Sequence, residues 1–109
     1  MAHHGYIPVA HRFLSAFKSP SVLEIGIDKG ITTFSMLHRL STLGRPFSYF
    51  AIDILVRKEV VETIKYMGVD FESNNIRLVE ENSLNILPSL IEGNSVFDLV
   101  FLDGDHNYY

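Results

Sequence analysis

Two acids and a histidine crowd into Asp103-Gly104-Asp105-His106, directly after the apolar run Val96 to Leu102. A neutral imidazole can take a proton near neutral pH, and a carboxylate three residues away can ligate a metal or orient the base. His106 is the candidate general base and Asp103 the candidate metal ligand or orienter. The plain alternative is a hydrogen-bonded turn in which Asp103 only fixes the loop. A second stretch, Glu24-Ile25-Gly26-Ile27-Asp28-Lys29-Gly30-Ile31-Thr32-Thr33, sets two glycines around a turn. Glycine permits positive φ and lets a ligand come close to the backbone. Free amide N–H groups at the start of the following helix can hold a carboxylate or phosphate. A turn needing two glycines for its own geometry would read the same way. Asp53 ends the run Ala51-Ile52-Asp53, ~20 residues beyond that turn, where an acid can accept hydrogen bonds from both ribose hydroxyls. Alone it reads as a solvated loop residue or a helix cap; with the glycine turn, ribose is preferred. Asn82 and Ser83 follow a third apolar run, with Ser83 expected to cap a helix and Asn82 able to reach an adenine edge.

These positions make sense only if strands and helices alternate. Val22 to Ile27 is a short apolar run after Pro20, as expected of a strand buried on both faces. Ile31, Phe34, Leu37, Leu40 and Leu43 follow at helical spacing, with Gly44 as the stop. Phe47 to Ile54 reads as a second strand. Glu59 to Met67 reads as a helix with Val60, Ile64 and Met67 on one face. Ile76 to Val79 and Val96 to Leu102 complete four strands, Ser83 to Ile91 makes a short helix, and Ala10 to Phe17 a leading one. This alternation predicts an α/β fold: parallel strands joined by right-handed crossovers, with helices on both faces. Ligands in such sheets bind beyond the carboxyl ends of the strands, where every polar stretch above is expected to fall.

The chain has 109 residues, enough for one small domain, with 47% hydrophobic residues to build a core. Its net charge is −4, and Arg57-Lys58 is too small a basic cluster to track phosphates, so a nucleic-acid partner is disfavoured. Cysteine is absent, which removes disulfides and thiolate metal sites. No apolar stretch approaches the ~20 residues that span a bilayer, and Met1-Ala2-His3-His4 does not read as a signal peptide. A cytoplasmic protein without a membrane partner is the expectation.

Taken in order, the four polar stretches resemble class I (Rossmann-like) methyltransferases over about residues 20 to 109. Glu24 to Thr33 looks like their first motif, Asp53 matches the acid of the second, and Asn82 to Leu90 is similar to the segment before the fourth strand. Phe97-Asp98-Leu99-Val100-Phe101-Leu102-Asp103-Gly104-Asp105-His106 resembles a signature of the small-molecule O-methyltransferase branch. The resemblance implies S-adenosylmethionine as cofactor and a small-molecule hydroxyl as methyl acceptor. It implies that Glu24 organises the loop, Gly26 and Gly30 admit the cofactor, and Thr32 or Thr33 binds its carboxylate. It also implies that Asp53 binds the ribose, that Asn82 and Ser83 flank the adenine, and that Asp103 faces the sulfonium. In metal-dependent relatives the position of Asp103 coordinates Mg2+, and that of His106 carries the base. Asp28 departs from the family, where glycine is common, and Lys29 is expected to offset its charge. The family sheet also has further C-terminal strands that are missing here, so the chain reads as the N-terminal, cofactor-binding portion of the domain. Its apolar fourth strand would then be an open edge through which copies associate. A nicotinamide-dependent oxidoreductase fragment is the first alternative, weakened because the turn is G-x-x-x-G and not G-x-G-x-x-G. A non-catalytic fragment that keeps the fold is the second.

Overall fold

A computed structural model describes residues 6–69, 74–93 and 96–102. The elements run in the order α1 (Tyr6–Leu14), β1 (Ser21–Ile25), α2 (Ile31–Ser41), β2 (Ser48–Asp53), α3 (Lys58–Tyr66), β3 (Asn75–Glu80), α4 (Ser83–Glu92) and β4 (Leu99–Leu102). The four strands form one parallel sheet in the order β3-β2-β1-β4. The chain thus steps outward from β1 through β2 to β3, then returns past β1 to lay down β4. Right-handed crossovers, the rule for such connections, put α2 and α3 over one face of the sheet and α4 over the other. The packing agrees. Leu37 and Leu40 of α2 and Val60 and Ile64 of α3 are buried in one cluster with Val22, Tyr49, Ala51 and Ile76. Leu90 of α4 lines a groove with Phe50 and Arg77, which alternate with those core residues along β2 and β3. Reversal of direction leaves a crevice between the carboxyl ends of β1 and β4, the usual place for a ligand in an open α/β sheet.

Local details correct the sequence-based boundaries. The expected stripe on α2 took every third residue, yet three residues advance about 300°, so such a stripe drifts around the helix. Thr32, Thr33, Met36, Leu37 and Leu40 are the buried set, and Ile31 is 53% exposed. β1 ends at Ile25 instead of Ile27, because Gly26 turns to φ +96 and leaves the extended region. α1 starts at Tyr6 and ends at Leu14, earlier than expected. Pro8 falls in its first turn, where no amide hydrogen is needed, and Ala16 and Phe17 close turns back onto Phe13 and Leu14. β4 starts at Leu99 rather than Val96. Just before it, Asp98 spends its side chain on Ser21: Oδ2 accepts from the Ser21 amide at 2.9 Å, and the Asp98 amide donates to the Ser21 carbonyl at 2.7 Å. That pair fixes the register of β4 on β1. Among the described residues, no helix is long and apolar enough to cross a membrane.

Candidate functional site

The loop leaving β1 carries three residues with positive φ: Gly26 at +96°, Asp28 at +53° and Gly30 at +88°. A side chain at Gly30 would be strained by its backbone and crowded, since an added Cβ would lie 2.7 Å from Phe34 Cζ and 3.1 Å from Val60 Cγ2. Gly30 is also the N-cap of α2, and no side chain caps that helix. The first amides of α2 are therefore left without a side-chain cap, an arrangement that suits a carboxylate.

Asp53, at the end of β2, holds this loop in place. Its Oδ2 accepts hydrogen bonds from the amides of Ile27 at 2.7 Å and Asp28 at 2.8 Å. Among the described residues, Oδ1 accepts one long bond, from the Leu55 amide at 3.4 Å. One carboxylate oxygen thus positions the glycine turn, and the other keeps acceptor capacity at the half-buried mouth of the site. This role is none of the three weighed from sequence, since the acid caps a loop 25 residues earlier in the chain. The chain continues from β3 alongside it: the Glu81 amide donates to the Asp53 carbonyl at 2.8 Å, so the turn into α4 starts next to the acid.

Beneath the loop lies a buried polar knot. Glu24 is fully buried in the middle of β1, and its Oε1 accepts from Thr33 Oγ1 and from Tyr49 Oη, both at 2.7 Å. A buried carboxylate is tolerated only when donors replace water, and here two hydroxyls do so. Glu24 and Thr33 therefore meet each other, tying the start of α2 to β1. The Thr33 hydroxyl points inward to that bond, and Thr32 beside it is also buried.

At the far side, Asn82 and not Ser83 caps α4. Asn82 Oδ1 accepts from the Leu84 amide at 2.9 Å, and its carbonyl accepts from Asn85 at 2.9 Å and Ile86 at 3.3 Å. Ser83 is the first helical residue, half-buried, one position too late to serve as the cap. Asp103 and His106 lie outside the described residues.

Three contributors were missed from sequence. Tyr49 sits in an apolar strand, and nothing along the chain marks its hydroxyl for Glu24. Glu80 accepts from the Val56 amide at 3.0 Å, bracing the turn after β2. Arg57, dismissed with Lys58 as too small a basic patch, lies 3.6 Å from Asp28. The partner of Asp28 is thus this arginine, where Lys29 was expected to offset the charge.

The donor set fits an adenosyl-type cofactor on structural grounds: a turn with little room for side chains, an uncapped helix start and an acid with one oxygen to spare. Among the described residues, no group of three His, Asp or Glu side chains could hold an ion, so Mg2+ gains no support. A family model described as a methyltransferase domain matches residues 23–109, from the buried part of β1 through the whole polar C-terminal stretch. No curated protein compared with the chain matches it.

Proposed function

The chain belongs to this family of methyltransferase domains, and from that premise we propose that it binds S-adenosylmethionine at the carboxyl ends of β1 and β2 and serves methyl transfer to a small-molecule hydroxyl. The observation that carries the reading is the Asp53 clamp on the glycine turn, with one oxygen on the loop amides and the other taking a long bond from the Leu55 amide. When bound, the cofactor supplies an electrophilic methyl group on a sulfonium that leaves as a neutral thioether. Asp53 Oδ1 holds a ribose hydroxyl. Gly26 and Gly30 leave room for the methionine end, and the first amides of α2 take its carboxylate. Asn82 and Ser83 border the adenine. Glu24, with Thr33 and Tyr49, keeps the floor of the site rigid and does not touch the cofactor.

His106 accepts the proton of the acceptor hydroxyl on an imidazole nitrogen, and Asp103 orients the reacting groups. A net charge of −4 without a basic stripe favours a small acceptor over a nucleic acid. Calorimetric titration of S-adenosylhomocysteine into the 109-residue chain tests the reading, with Asp53→Ala as control. Saturable binding is expected for the wild type, weakened at least ~30-fold in the variant, since a charge-assisted bond and the loop clamp go together. A folded wild type that takes NADH and not S-adenosylhomocysteine would overturn it in favour of the oxidoreductase alternative.

A further inference from the structure

The cofactor loop contains one residue in a backbone conformation that its side chain disfavours. Asp28 stands at φ +53°, where aspartate is tolerated better than most residues but glycine alone is at ease. Two contacts keep it there. Its amide donates to Asp53 Oδ2 at 2.8 Å, and its Oδ1 lies 3.6 Å from the Arg57 guanidinium. Arg57 is the N-cap residue of α3, held extended at φ −71°, ψ 138°. Val60, one turn further on, packs so close behind Gly30 that a Cβ there would come within 3.1 Å of it. The start of α3 therefore backs the loop at two points, by an ion pair at Asp28 and by an apolar contact at Gly30. Between loop and helix lies a groove of about 300 Å³ lined by Lys29, Phe34, Arg57, Glu59, Val60 and Thr63. The loop is thus not solidly packed from behind at this point, and Arg57 lines the groove.

We propose that Arg57 is a positioning residue for cofactor binding. By pairing with Asp28 it holds the loop in the left-handed turn that keeps the Ile27 and Asp28 amides on Asp53, and so presets the edge that meets the cofactor. The inference rests on the cofactor site proposed above. It explains how an acid is accommodated at a turn where glycine would serve without help: the ion pair offsets the strain that the Asp28 Cβ brings at positive φ.

The test uses Arg57→Ala, Arg57→Lys, Asp28→Gly and the double variant Arg57→Ala/Asp28→Gly in the full chain. Two readouts are taken: the dissociation constant for S-adenosylhomocysteine, and amide hydrogen exchange at Ile27 and Asp28 in the free protein. Arg57→Ala is expected to weaken binding about fivefold, the upper range for a half-exposed ion pair, and to speed exchange at both amides. Arg57→Lys is expected to recover part of each effect. The double variant is expected to recover both in full, because glycine adopts the turn without the pair. Should the double variant bind as weakly as Arg57→Ala, Arg57 acts on the cofactor through its charge, and the positioning role is overturned. Unchanged affinity and unchanged exchange in Arg57→Ala overturn it as well. If the wild type binds no S-adenosylhomocysteine, the cofactor reading fails on its own. Exchange then decides: faster exchange in Arg57→Ala, reversed in the double variant, supports the role, and anything else overturns it.

Discussion

The two faces of the sheet are built to different standards. On the face covered by α1, α2 and α3, Leu14, Val22, Leu37, Leu40, Tyr49 and Ile64 are fully buried, and even a carboxylate, Glu24, is sealed in among them. On the face covered by α4, Leu23 and Ile52 are buried, but Val100 is 52% and Leu102 62% exposed along β4, and Phe50 is half-buried under the Arg77 guanidinium, 5.0 Å from its ring centre. The topology explains the difference. Two crossovers in the same direction place two helices side by side over β1 and β2, while the single reversed crossover contributes one helix to the opposite face. The closed face anchors the glycine loop, since Glu24 and Thr33 join β1 to the helix that starts there. The other face leaves apolar side chains of β4 exposed.

Substitutions along this divide should separate the two. Glu24→Ala is expected to have the largest effect, about 2–4 kcal/mol in urea unfolding, because it strands two buried hydroxyls and opens a void. A loss below about 1 kcal/mol would mean that the knot is not what holds the closed face. Tyr49→Phe removes one of the two hydroxyls while keeping the ring, and about 1 kcal/mol should be lost by the same measure. If its loss equals that of Glu24→Ala, the carboxylate depends on Tyr49 alone and Thr33 contributes nothing. On the open face, Val100→Lys should change stability by no more than about 0.5 kcal/mol. We propose that copies of the chain associate through β4, an edge strand among the described residues. Val100→Lys should then lower the weight-average mass in sedimentation, and an unchanged mass would count against pairing there.

Much of the plan was legible in the chain. Alternating apolar runs and helical spacings predicted four parallel strands in the right places, because a strand buried on both faces and an amphipathic helix leave distinct periods. The glycine pair and Asp53 could be picked out because backbone geometry and strand ends restrict residue type. Other features lay beyond sequence reading. The capping role fell to Asn82 instead of Ser83 because helix starts are uncertain by a residue or two. Asp98 belongs to the Phe97-Asp98-Leu99-Val100 run, but its bond to Ser21 spans 77 residues, and no local pattern reports such a distance.

What the sequence by itself determined is the order and type of the elements and the set of turns where a ligand could meet the backbone. These follow from local periodicity and from the few residues that tolerate positive φ. Only the tertiary structure decided what each polar group does. It turned Thr33 inward to Glu24, put one oxygen of Asp53 on the amides of the glycine loop, and brought Arg57 to Asp28 across 29 residues. A carboxylate takes whichever donors the fold brings within about 3 Å, and that choice is made by strand order and helix packing, not by neighbours in the chain.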